Sequence, residues 1–134
     1  MEKESLTIVK VGLILATLTG LSYGVTLLVA PGLLVTMSGS EPVEPAWVRW
    51  AGGTLIAVCI GNILVFRNPK GQYIYVTMLA LYNLLNAGGH LLTLIAQDFT
   101  GATWFVALPM VLTFAVSAVL WWGRQQAKGI LKGD

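Results

Sequence analysis

The chain has 134 residues, 56% of them hydrophobic and 10% charged, with a mean hydropathy of +0.76. No ordinary soluble domain reaches that balance, and the length leaves room for one helical bundle and no second domain. The net charge of +2 is too small to point to a nucleic-acid partner.

Four windows, 11–40, 50–66, 71–97 and 99–123, hold no Lys, Arg, Asp or Glu. A hydrocarbon core about 30 Å thick needs about 20 apolar residues in a helix, so each window predicts a transmembrane span. The first is expected over about 7–30, stopped by Pro31-Gly32. Its apolar run is too long for the core of a cleaved signal peptide, and Glu2 and Glu4 precede it, so it reads as a retained span. Residues 32–40 read as a loop with an interfacial turn. Glu44-Pro45 then reads as a helix start, with proline at the first helical position, and the second span follows over about 46–66.

Residues 67–72 form a short polar turn, which predicts that the second and third spans are antiparallel neighbours. The third span is expected over about 73–96 and the fourth over about 102–122, with Pro109 as a kink. The tail from Gly123 onward reads as polar, basic and frayed. The fold class is therefore all-α: an integral membrane four-helix bundle, up-down-up-down, over residues 1–134.

Basic residues orient it. Lys3, Lys10, Arg67, Lys70, Arg124, Lys128 and Lys132 fall on one side, and Arg49 alone falls on the other, beside Glu41, Glu44 and Asp98. This seven-to-one split predicts cytoplasmic termini in a bacterial inner membrane. Aromatic residues mark both interfaces: Trp47, Trp50 and Trp104 on the outer side, Phe66, Tyr73, Tyr75, Trp121 and Trp122 on the inner.

Small residues recur every four positions as Gly12, Ala16, Gly20 and Gly24 in the first span, and as Gly53, Ala57 and Gly61 in the second. Such ladders let helix backbones approach closely in lipid, where no hydrophobic force drives association. Packing within the bundle is the favoured reading. A homo-oligomer or larger membrane complex is the alternative.

Polar residues inside the spans are the candidates for function, because burying them in lipid is costly. Asn83, Asn86, His90, Thr93 and Gln97 step by three or four and share one face of the third span. Facing lipid would be expensive, so the stripe should face the interior or a small cavity. Arg49 precedes Phe66 by as many residues as His90 follows Tyr73. On an antiparallel hairpin they reach one height, so Arg49, Asn86 and His90 are expected to line an outer-leaflet polar site. Glu41, Glu44 and Asp98 would roof it, with Trp47 or Trp50 as an apolar wall. The structural alternative is that Arg49 snorkels to pair with Glu44 and that His90 serves packing alone.

Several chemistries are unsupported. Cys59 is the only cysteine, so thiol–disulfide exchange within the chain is excluded. One histidine cannot supply two axial haem ligands within one chain. No pair of His, Cys, Asp or Glu within the spans has metal-ligand spacing. No carboxylate lies inside a span, as a four-span proton-coupled exporter would need in its first helix. Ser22 and Ser117 have no evident base beside them. No motif names a cofactor.

Ala30-Pro31-Gly32-Leu33-Leu34 closing the first span, Arg49-Trp50-Ala51-Gly52-Gly53 opening the second with Gly61 beyond it, and Gly88-Gly89-His90 in the third resemble the small four-span bacterial proteins grouped as DoxX-like and BphX-like. The resemblance covers nearly the whole chain in length, span number and topology. It implies the bundle and little about activity. Most such proteins have none assigned, a few relatives look like membrane subunits of quinone-linked sulfur oxidation, and others are encoded beside aromatic-degradation enzymes. It carries over no active-site residue. The favoured expectation is a non-enzymatic accessory or self-associating membrane component. The alternatives are binding or transport of a quinone-like or lipid-like amphiphile at Arg49, Trp50, Asn83, Asn86 and His90, and a redox accessory subunit.

Overall fold

A computed structural model describes residues 2–134, with side chains from residue 6 onward. Lys3, Glu2 and Glu4 therefore lie outside the described side chains. Six helices follow in order: α1 (Glu2–Val29), α2 (Leu33–Ser38), α3 (Pro45–Arg67), α4 (Tyr73–Ala96), α5 (Trp104–Gln126) and α6 (Lys128–Lys132). Four of them, over Leu6–Val29, Pro45–Arg67, Tyr73–Ala96 and Trp104–Gln126, are long and apolar enough to cross a membrane. The result is an all-helical, multi-pass membrane bundle. α3 begins at Pro45 itself, whose missing N–H has no helical partner to lose at that position. α5 runs on through Pro109.

α1 is the central helix, packed along α3 on one side and α5 on the other, and α4 packs along α5. Glycines set both α1 seams. A Cβ at Gly52 would lie 2.8 Å from the Gly24 carbonyl oxygen and 2.8 Å from the Leu28 nitrogen, so α1 and α3 cross backbone to backbone there. A Cβ at Gly12 would meet the Leu120 side chain, and one at Gly123 would lie 2.8 Å from the Val9 nitrogen, which brings α1 equally close to α5. Gly20 accommodates the Cys59 thiol, which donates to the Thr17 carbonyl oxygen at 3.5 Å. Ala16 is buried in the same helix.

The second small-residue ladder is displaced by one position. Gly53 has nothing within 4 Å of its would-be Cβ, and Ala57 is exposed. The α3 residues in the seam are Gly52 and Cys59. One residue turns a helix by about 100°, so this offset puts Gly53 and Ala57 on the outer face, while Gly61 packs against Tyr75 of α4.

α3 and α4 are joined by the short turn yet scarcely approach each other along their length. They meet near the turn, where the Tyr75 ring occupies the space left by Gly61. The Tyr75 hydroxyl lies 3.0 Å from the Val58 carbonyl oxygen and 2.9 Å from Asn62 Oδ1. The expected hairpin of neighbours is therefore open, because each helix finds its extended partner elsewhere.

The main buried cluster lies in the half of the bundle nearest this turn. Val9, Leu13, Ala16, Val65, Val76, Leu79, Ala80, Val116 and Leu120 pack there with Ala127 and Leu131. The tail is not frayed. α6 folds back so that Leu131, 0% exposed, closes the end of the core, and Gly71 N–H donates to the Ile130 carbonyl oxygen. Basic residues at this end sit on aromatic rings: Arg124 over Tyr73 and Trp121, Lys132 over Tyr73, and Lys10 over Phe66. Arg124 Nε also donates to Thr77 Oγ1, and Ser117 Oγ donates to the Ala80 carbonyl oxygen, so α5 is tied to α4 twice.

Candidate functional site: a roofed cavity with a polar wall

The other half of the bundle holds a cavity of about 700 Å³. Its floor is Ala16, Cys59 and Leu79, and its walls rise along α1, α3, α4 and α5. The splay between α3 and α4 creates this space. The small residue Ala51 leaves room beside Trp50.

The α4 stripe forms the polar wall. Asn83, Asn86, His90 and Thr93 line the cavity, joined by Tyr82 one turn before Asn86. Gln97 does not line it. Gln97 terminates α4 in a left-handed conformation, with φ 55°. Each asparagine is oriented by its own helix: Asn83 Nδ2 donates to the Leu79 carbonyl oxygen at 2.9 Å and Asn86 Nδ2 to that of Tyr82 at 2.8 Å. One amide hydrogen and the amide oxygen of Asn83 remain for another molecule, while the Asn86 amide also hydrogen-bonds the Tyr82 side chain. Thr54, Thr93 and Thr113 spend their hydroxyl protons on carbonyl oxygens of their own helices and offer only acceptor capacity. Tyr23 faces the same space from α1.

Trp50 lines the mouth and is 69% exposed, with Trp47 edge-on to it. Arg49 does not line the cavity and is exposed on α3. The one-residue step along α3 brings Trp50 to the cavity and turns Arg49 away from it. The roof also differs from the expectation. Glu41, Glu44 and Asp98 are exposed, and the cover is α2, with Leu34, Val35 and Ser38 facing the cavity together with Ser40, Val43 and Phe99. Ala102 N–H donates to the Ser38 carbonyl oxygen at 2.8 Å, and the Ser38 and Ser40 hydroxyls share a hydrogen bond of 2.7 Å. A Cβ at Gly101 would lie 2.5 Å from both the Ser38 carbonyl oxygen and Ser40 Oγ, so only glycine lets the α4–α5 loop clasp the roof this closely.

The sequence reading missed Tyr23, Tyr82 and the α2 cover. Tyr82 lies one turn before Asn86 on the same stripe and was legible as such. Tyr23 and α2 join only because α1 is central, which no local pattern announces.

Comparison with family models, with curated proteins and with solved structures finds no match for this chain.

Proposed function

We propose that this chain binds a small amphipathic molecule, lipid-like or quinone-like, in the roofed cavity, with Asn83, Asn86 and His90 holding its polar part. The observation that carries the reading is the coincidence of a large apolar cavity with one hydrogen-bonding wall, as ligand sites generally show. It stands in a bacterial inner membrane with cytoplasmic termini, a placement supported by the seven-to-one distribution of basic residues. Membership of the DoxX-like and BphX-like group belongs to the same proposal and rests on Ala30–Leu34, Arg49–Gly53 and Gly88–His90.

The test is extraction of the full chain from its own membrane in lipid-preserving nanodiscs, followed by mass spectrometry of what travels with it. A co-purifying species should fall about tenfold or more in His90→Ala and in Asn86→Leu, the loss expected for one or two buried hydrogen bonds. Equal recovery from wild type and both variants overturns the reading.

A second reading has its own observation. Gly53 and Ala57 form an outward-facing strip of small residues on α3, with open space beyond Gly53, as a self-associating or accessory component would present. A monomer in mild detergent and in nanodiscs, with no co-purifying protein, argues against it.

A further inference from the structure

The cavity is covered by α2 and reaches the outer surface of the bundle along α3 at Trp50 and Thr54, and its wall carries hydrogen-bonding groups without a carboxylate, lysine or arginine. From this juxtaposition, and resting on the binding reading above, we infer that the site takes an uncharged long-chain amphiphile from the bilayer, with its head against Asn83, Asn86 and His90 and its chain passing between α3 and α4.

Three observations meet here. The route from the α2 side is narrowed by the clasp of Ser38, Ser40, Gly101 and Ala102, which joins the roof to the α4–α5 loop and leaves Val43 as the exposed lining residue on that side. The side route is open. α3 and α4 meet through Tyr75 near the turn and scarcely approach elsewhere, while Trp50 and Thr54 are at once exposed and part of the cavity lining. A molecule within the site therefore has direct continuity with acyl chains. Finally, among the described residues no Asp, Glu, Lys or Arg lines the cavity, so a charged head would lose its hydration without gaining a counter-charge. The amide groups of Asn83 and Asn86, the His90 ring and the Tyr23 and Tyr82 hydroxyls offer both donors and acceptors, which suits an alcohol, ketone or ester head. An anionic head would instead stay outside, near exposed Arg49.

The experiment uses the full chain in phosphatidylcholine vesicles. Three probes of one chain length carry the same mid-chain diazirine and differ only in their heads: an alcohol, a trimethylammonium and a sulfonate. After irradiation, labelled peptides are mapped and quantified. The alcohol should label residues 51–59 and 79–93 at least fivefold more than either charged probe, and Thr54→Trp, which fills the side opening, should cut that labelling at least fivefold. Leu85→Trp, on an exposed α4 position outside the lining, should leave it unchanged. Gly101→Val, which disrupts the roof clasp, should not raise it.

Equal cavity labelling by the charged probes overturns the uncharged class. Cavity labelling that is indifferent to Thr54→Trp but increased by Gly101→Val overturns the lateral route, while the binding reading survives. No cavity labelling by any probe, with a co-purifying species still recovered in nanodiscs, overturns the long-chain class alone. Absence of both overturns the binding reading itself.

Discussion

Asn62 is 0% exposed, and its Nδ2 is buried without a hydrogen-bond partner. The Tyr75 hydroxyl has one proton and two acceptors beside it, the Val58 carbonyl oxygen and the Asn62 amide. Turning the amide over places its N–H on the Tyr75 oxygen and leaves the phenol proton for Val58, but the amide oxygen is then orphaned instead. Either arrangement buries one unsatisfied polar atom, a penalty of about 1–3 kcal/mol. Asn62→Leu should therefore leave the thermal midpoint in detergent unchanged or raise it, because Tyr75 keeps its bond to Val58. Tyr75→Phe removes the link between α3 and α4 and strips the buried Asn62 amide of its hydrogen-bond partner, so it should destabilise by about 1–3 kcal/mol. A larger loss in Asn62→Leu than in Tyr75→Phe would show that the orphaned atom is satisfied in the folded protein.

Among elements, α1 bears the architecture. Its two seams exist because glycines remove the side chains that would hold backbones apart, at Gly24 against Gly52 and at Gly12 beside Leu120. At Gly52 the atoms in the way are backbone, which cannot swing aside as a side chain can. Gly52→Ala should destabilise by about 1–3 kcal/mol, the usual range for overpacking. Gly53→Ala, one residue on and facing open space, should change the melting midpoint little, and helix propensity favours the alanine. Matching effects at the two positions would contradict the seam. The recurrence of small residues was readable in the sequence, and on α1 it marks the faces in use. On α3 the period of four runs through Gly53, Ala57 and Gly61, and only the partner helix selects the neighbouring Gly52 instead.

The whole molecule is divided across its length. One half is a packed core closed by α6, and the other is a cavity roofed by α2. This division follows from the packing order α3–α1–α5–α4, which leaves the chain-adjacent pair α3 and α4 apart. Orientation belongs to this scale. With Cys59 replaced by alanine, a membrane-impermeant maleimide applied to intact cells should label Val43→Cys and spare Lys70→Cys; both positions are exposed, at opposite ends of the bundle. The reverse pattern would invert the proposed topology and place the cavity roof in the cytoplasm.

The spans, their number and the polar face of α4 were determined by the sequence, because each follows from local hydropathy and helical period: charged residues cannot remain in lipid, and Asn83, Asn86, His90 and Thr93 must share a face. The folded α6 was not legible, since its polar, basic composition conceals Leu131 as a core residue. Nor was the absence of Arg49 from the site, which depends on how far α3 is rotated about its own axis. Tertiary structure alone decided that α1 would be central, that α3 and α4 would part, and that α2 would cover the space between them. The physical reason is common to all three. Helix pairing in a membrane is chosen by close backbone approach between residues far apart in the chain, and a single sequence shows which faces are able to pack without showing which pair does.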